Sequence, residues 1–181
     1  MGLLPDNYNL PESDGGGLFA KLESGENRFR IVDQVTTGYI VWEDRKPTRY
    51  KTQEDVPSGA EDVKAFWFVP VWMVKNGDIE VNKIQFLEMA QKSVLSELLF
   101  LDKMEDWGSL TDYDVIVHRT GKDLETQYSV KPVPKNDMPK AAIDAWKSMK
   151  DNYKPEQLFV ESGVVYSGSA KASDDDEKLP F

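Results

Sequence analysis

The chain has 181 residues, 40% of them hydrophobic, with a formal net charge of −10, no cysteine and one histidine, His118. That length gives one domain with tails, or at most two small domains. Without cysteine there are no disulfides, thiolate metal sites or cysteine nucleophiles, and one histidine cannot build a histidine-rich metal site.

Residues 1–26 hold Pro5, Pro11 and the triplet Gly15-Gly16-Gly17 with little periodicity, and read as a flexible arm whose Leu18-Phe19 could anchor to a core. Two runs rich in β-branched and aromatic residues follow at 27–32 and 37–42, with Gly38 at a bend; they are expected to be two halves of one long curved strand. Residues 44–63 form a long polar loop with Pro47, Pro57 and Gly59. Strand-like runs at 65–74 and 79–88 flank Asn76-Gly77, a strong hairpin signal because a type I′ turn needs positive φ at both central residues. A turn centred there pairs Trp72 with Val81, Phe68 with Gln85 and Trp67 with Phe86. Alternation then puts Trp67, Val69, Val71, Met73, Ile84 and Phe86 on a core face. The other face holds Phe66, Phe68, Trp72, Lys83 and Gln85, with Pro70 between. Rings mixed with Lys and Gln suit a surface that stacks bases and attracts phosphate; the alternative is that a helix or the arm covers them. A slip of one residue would exchange the faces.

Ala90, Val94, Leu98 and Leu101, widened by Leu95 and Leu99, make a helical stripe. A loop with Trp107-Gly108 returns to a strand at 113–119, a turn at Gly121-Lys122-Asp123 and a strand at 126–131, ended by Pro132 and Pro134. Residues 137–150 read as a second helix with Pro139 in its first turn and Trp146 on its apolar side, and 155–160 as a short helix or strand. Strands at 27–42, 65–74, 79–88, 113–119 and 126–131, with a helix between the third and fourth, have the order of a five-stranded OB-fold barrel. The expected class is therefore mainly β, an OB-fold with an added C-terminal helix: an arm over 1–26, a folded domain over 27–160, and a flexible linker with acidic tail over 161–181.

The net charge argues against nucleic acid, but its distribution argues back. Arg28, Arg30, Arg45, Lys46, Arg49 and Lys51 face only three acids within 27–51. Basic side chains interleaved with Trp42 and Tyr50 suit a mobile loop closing over a single strand; an ordinary polar loop is the alternative. OB-folds bind oligonucleotides on strands two and three and on the loops between strands one and two and between four and five. That selects Arg28, Arg30, Trp42, Arg45, Lys46, Arg49, Tyr50, Lys51, Phe66, Phe68, Trp72, Lys83 and Lys122 as the candidate contacts.

The chain closes on DDDEKLPF. Asp174, Asp175, Asp176 and Glu177 lead to Leu179, Pro180 and Phe181, so an apolar ring and carboxylates share one segment suited to a partner's basic-rimmed pocket. A solubilising tail is the plain alternative, although it gives no reason for Leu-Pro-Phe. This end resembles the acidic tip of bacterial and phage single-stranded-DNA-binding proteins. GENRFRI (25–31), KAFWFVPVWMV (64–74), KIQFLEMAQKSVLSEL (83–98), DWGSLTDYDVIVHR (106–119) and YSVKP (128–132) are similar to a phage family of such proteins. The resemblance implies an OB-fold core, sequence-tolerant binding of single strands, and a tail that recruits replication or recombination proteins. Some phage relatives hold a structural zinc through Cys and His; with no cysteine, this chain cannot carry that site.

Enzymatic readings are weaker. His118 lies in an apolar strand, and Asp102, Glu105, Asp106, Asp112 and Asp114 flank a Trp-Gly turn where a solvated loop is the simpler account than a Mg²⁺ site. No Walker loop, Gly-x-Ser-x-Gly or His-Glu-x-x-His motif occurs. The expectation is a non-enzymatic protein without cofactor that coats single-stranded DNA in phage replication or recombination. It would recruit replication proteins through its tail, with self-association left open. Its longest apolar run, AFWFVPVWMV, is too short to cross a bilayer, so no membrane association and a location in the (bacterial host's) cytoplasm are expected. An OB-like adaptor that binds only protein is the alternative.

Overall fold

A computed structural model describes residues 17–167. The first part of the expected arm lies outside them, as do Asp174, Asp175, Asp176, Glu177, Leu179, Pro180 and Phe181. The described residues form β1 (Phe19–Ala20), β2 (Gly25–Ile31), β3 (Thr36–Glu43), β4 (Lys46–Tyr50), β5 (Lys64–Asn76), β6 (Ile79–Met89), α1 (Lys92–Lys103), β7 (Val115–Thr120), β8 (Gln127–Pro132) and α2 (Lys140–Met149). The fold is mainly β. One eight-stranded sheet runs β1-β6-β5-β2-β7-β8, with β3 on β5 and β4 on β3. Among the described residues no pairing of β6 with β8 closes it, so the expected closed five-stranded barrel is not formed.

The curved first strand is broken in two. β2 runs along residues 71–75 of β5 and β3 along residues 64–68, on the edge opposite β6. Pro70 sits at the break. Its partner Phe86 turns its N–H away from β5, toward the Leu18 carbonyl (2.7 Å), so the backbone of Pro70 points toward β2 and β3. There the Pro70 carbonyl accepts from Val32 N–H at 3.1 Å, and the missing N–H faces the gap where a ladder donor is not needed.

The hairpin register differs from the expected one. The turn is Gly77-Asp78, with φ of 64° and 74°, and Asn76 and Ile79 are the closing pair. That shift of two residues leaves the faces alone. The exchange comes from a bulge: Met73 pairs with Lys83 and Lys75 with Glu80, so Val74 opposes both Val81 and Asn82, and Asn82 takes φ 55°. From there Trp72 lies opposite Ile84, Pro70 opposite Phe86 and Phe68 opposite Glu88. Lys83 and Gln85 move to the other face, beside Met73 and Val71.

Both faces are consequently apolar, and each needs a cover. One core joins Val69, Val71, Met73, Leu87 and Met89 to Phe29, Val115 and Val117, and is capped by Val94, Leu95, Leu98 and Leu101 of α1. The other joins Ile40, Phe66, Phe68, Ile84 and Phe86 to Trp146 of α2 and to Val165, with Tyr153, Phe159 and Tyr166 packed against it. Trp146 and Ala142 are one helical turn apart and form the buried stripe of α2. The indole N–H of Trp146 donates to Asp33 Oδ2 at 2.9 Å. Residues 150–167 then form a strap, tied by the Tyr153–Tyr166 bridge and by Lys154 N–H to the Val165 carbonyl (2.6 Å).

The folded part is also longer than expected at both ends. Ala20 and Leu22 are buried although they lie within the arm as read from sequence, and Val165 is buried within the expected linker. Asn27, fully buried, explains the N-terminal extension. Its Oδ1 accepts from the N–H groups of Glu23 and Gly77 and from Asn76 Nδ2, while its Nδ2 donates to the carbonyls of Glu23 and Val117. One side chain thus fastens the segment before β2, the β5–β6 turn and β7 together.

Candidate functional site

The polar loop expected at 44–63 begins instead as a strand. β3 and β4 form a two-residue hairpin closed by Glu43 and Lys46, with Asp44 (φ 51°) and Arg45 (φ 67°) at its tip. Paired positive φ values are those of a type I′ turn, which Asn-Gly would signal and Asp-Arg does not. Beyond Ile40, β3 pairs only with β4, so the far end of the ribbon projects from the sheet. Trp42 stands there opposite Pro47 and is 52% exposed. Arg45 and Lys46 are exposed beside it.

At the foot of this hairpin a groove of about 860 Å³ opens. Its floor is Phe68, Phe86 and Glu88; β4 forms one wall, Phe19 to Lys21 a second, and residues 157–163 of the strap a third. Arg49 donates to both carboxylate oxygens of Glu88, at 2.8 and 2.9 Å, so the floor carries a neutralised pair rather than a free charge. The cations left over are Lys21 and Lys46. The Arg49 guanidinium also lies 5.8 Å above the Phe66 ring, and Lys51 Nζ lies 5.9 Å above Phe159. The first contact ties the hairpin to β5 and the second clips the strap to it. Gly38 permits the approach, because a Cβ there would meet Phe159 and Phe66 at 2.9 Å each.

The rings of the groove continue inward as a stack. Phe19 lies 5.7 Å from Phe86 and 6.3 Å from Phe68 between centroids, and Phe86 lies 5.0 Å from Tyr153 with planes 5° apart. Burial pushes the Tyr153 phenol up to about 12; the Thr36 hydroxyl pulls the other way, and Asp33 and Glu156 add to the rise. Tyr113, in the opposite core, is raised by burial and by Asp102 and Asp112.

Of the residues singled out from sequence, the groove gathers Lys46, Arg49, Tyr50 and Phe68, with Trp42 and Arg45 on the projecting hairpin above. The open aromatic face does not exist as expected. Phe66 is fully buried and Phe68 is 3% exposed beneath α2 and the strap, while Trp72 is half-buried against the same core. Lys83 is half-buried on the face covered by α1, and Lys122 is exposed in the β7–β8 connection, away from the groove. Arg28 and Arg30 are tied into the fold by ion pairs, Arg28 remaining about a third exposed and Arg30 buried. Both bond Asp114, each at 2.8 Å, and Arg30, with a side chain 1% exposed, also donates to Asn136 Oδ1 at 2.6 Å. Sequence reasoning missed Phe86 and Glu88 as groove residues, because the bulge that places them carries only an asparagine as its signal, and missed the strap residues because only tertiary packing brings them there. Phe19 was legible as an anchor but not as part of a site. His118 is exposed on β7, and among the described residues no three His, Cys, Asp or Glu side chains gather to hold a metal ion. No described helix is long and apolar enough to cross a membrane.

In comparisons with known proteins, no family model and no curated sequence matches this chain.

Proposed function

We propose that the protein binds single-stranded DNA without sequence preference and without catalysis, the strand crossing the β3–β4 hairpin and the mouth of the groove. The observation that carries this reading is the hairpin itself: an exposed tryptophan, an arginine and a lysine on a ribbon that projects over an aromatic-floored groove. Aromatic faces accept any base, and flanking cations meet phosphates, which is the chemistry of sequence-tolerant strand binding. The connectivity supports it as well. With β2 and β3 taken as one strand, the order β6-β5-β2-β7-β8 is that of OB strands 3-2-1-4-5, and α1 occupies the position between strands three and four. In that frame the binding surface has moved from the middle of strands two and three, which α2 and the strap cover, to the extended end of strand one and its hairpin. We read the tail, Asp174 to Phe181, as the segment that recruits replication or recombination proteins, and the setting as phage DNA metabolism in a bacterial cytoplasm.

The test is a tryptophan-quenching titration with oligo-dT at two salt concentrations. Binding should be salt-sensitive, with a log–log slope of about −0.7 for each phosphate neutralised. Quenching should fall sharply in Trp42→Phe, which removes the most exposed indole on the hairpin. Wild-type protein that shows no salt-dependent quenching would leave the protein-binding adaptor as the better reading.

A further inference from the structure

Phe19 is out of place for an anchor. β1 is only two residues long, runs parallel to β6 at Phe86 and Leu87, and buries Ala20, yet the ring of Phe19 is left 60% exposed. One side of it rests on Phe68 and Phe86, the two rings of the groove floor. The open remainder stands on the wall of the groove facing β4. Among the rings that touch buried Phe86 and Phe68 it is the most exposed, Tyr153 and Tyr166 being only half-buried.

We infer that Phe19 is a second base-stacking platform, across the groove from the hairpin, with Lys21 holding the adjoining phosphate; this rests on the reading of the protein as a single-strand binder. The charge pattern selects the occupant. The floor holds the Arg49–Glu88 pair, whose charges cancel, so it suits a neutral base with hydrogen-bonding edges rather than a phosphate. Lys21 and Lys46, the lining cations with no ion pair among the described residues, stand on opposite walls, where a backbone on either side of that base would pass. A flat ring with one supported face and one free face is the arrangement that stacking requires, and support from behind lowers the cost of ordering it. The groove therefore takes one base, and Trp42 takes a neighbouring one.

The experiment uses the full chain and fluorescently labelled oligo-dT, with anisotropy as the readout. Phe19→Leu keeps an apolar contact on Phe68 and Phe86 but removes the flat face; Phe19→Trp enlarges it. Stacking predicts that Leu weakens binding roughly 5- to 150-fold with an unchanged salt slope, while Trp binds at least as well as wild type. Lys21→Gln should instead lower the slope by about 0.7. If Phe19 only fastens β1, the Leu variant will bind as wild type does, and the inference fails while single-strand binding stands. Wild-type protein that does not bind oligo-dT removes both.

Discussion

Replacing Asp114 with asparagine should unfold the protein more readily without touching the groove. The carboxylate sits just before β7, where its two oxygens each accept from one arginine: Oδ1 from Arg30 Nε and Oδ2 from Arg28 Nε, both at 2.8 Å. Arg30 has a side-chain exposure of 1% and Asp114 of 11%. The remaining donors of Arg30 go to Asn136 Oδ1 at 2.6 Å and, weakly, to the Thr111 carbonyl at 3.4 Å, neither of which carries charge. An amide at 114 keeps one acceptor, turns an NH₂ group toward the other arginine, and leaves the buried guanidinium with no anion. Breaking a buried pair from one side costs about 3–5 kcal/mol. The Arg28 contact adds little, since that side chain is 34% exposed and its pair is screened by water. For a chain of this size each kcal/mol moves the midpoint roughly 2–4 °C, so thermal unfolding followed by circular dichroism should shift down by roughly 6–20 °C. The double substitution Arg30→Met with Asp114→Ala should recover much of the loss, because the desolvation penalty goes with the charge. An Asp114→Asn variant within about 1 kcal/mol of wild type by denaturant titration would refute the argument that Arg30 is held for the fold.

Two further predictions follow from backbone and burial. Tyr153 keeps its proton to about pH 12, whereas the unfolded chain releases it near 10.0. Its contribution to stability is therefore complete below pH 10 and is lost as pH rises from there to about 12, and phenolate absorbance should show one fewer late-titrating tyrosine in Tyr153→Phe than in wild type, where Tyr113 is raised as well. Arg45→Gly should raise stability by roughly 0.5–1 kcal/mol, since glycine takes positive φ without strain, while lowering the salt slope of DNA binding by about 0.7. A variant that is stabilised but keeps its full slope would remove Arg45 from the contact set.

The sequence carried the element order well, because the strand runs, the Asn-Gly signal and the stripe through Val94, Leu98 and Leu101 are local patterns. What it did not carry was a single bulged residue. Asn82 adopts positive φ, which asparagine does more readily than most residues, but nothing around it distinguishes a bulge from an ordinary strand position. That one residue moves Lys83 and Gln85 away from Phe66, Phe68 and Trp72, and turns an expected binding face into a second core. The apolar side of the second helix was visible around Trp146, yet its cover for this face could be assigned only with the register in hand. The ion pairs of Arg28 and Arg30 were out of reach for a related reason: their alternation is local, whereas their partner Asp114 lies more than eighty residues away. On the hairpin, Asp44-Arg45 occupies a turn normally advertised by glycine, so the strand after it passed for loop.

The second core also sets a schedule for folding. Phe66, Phe68 and Phe86 lie near the middle of the chain, but their lid is Trp146, Tyr153, Phe159 and Tyr166. During synthesis the whole sheet can pair before any of that lid has left the ribosome, and for that interval the nascent chain exposes an aromatic surface prone to sticking. A chain interrupted between the end of β8 and Trp146 would keep that surface permanently, making it a natural target for chaperones and proteases.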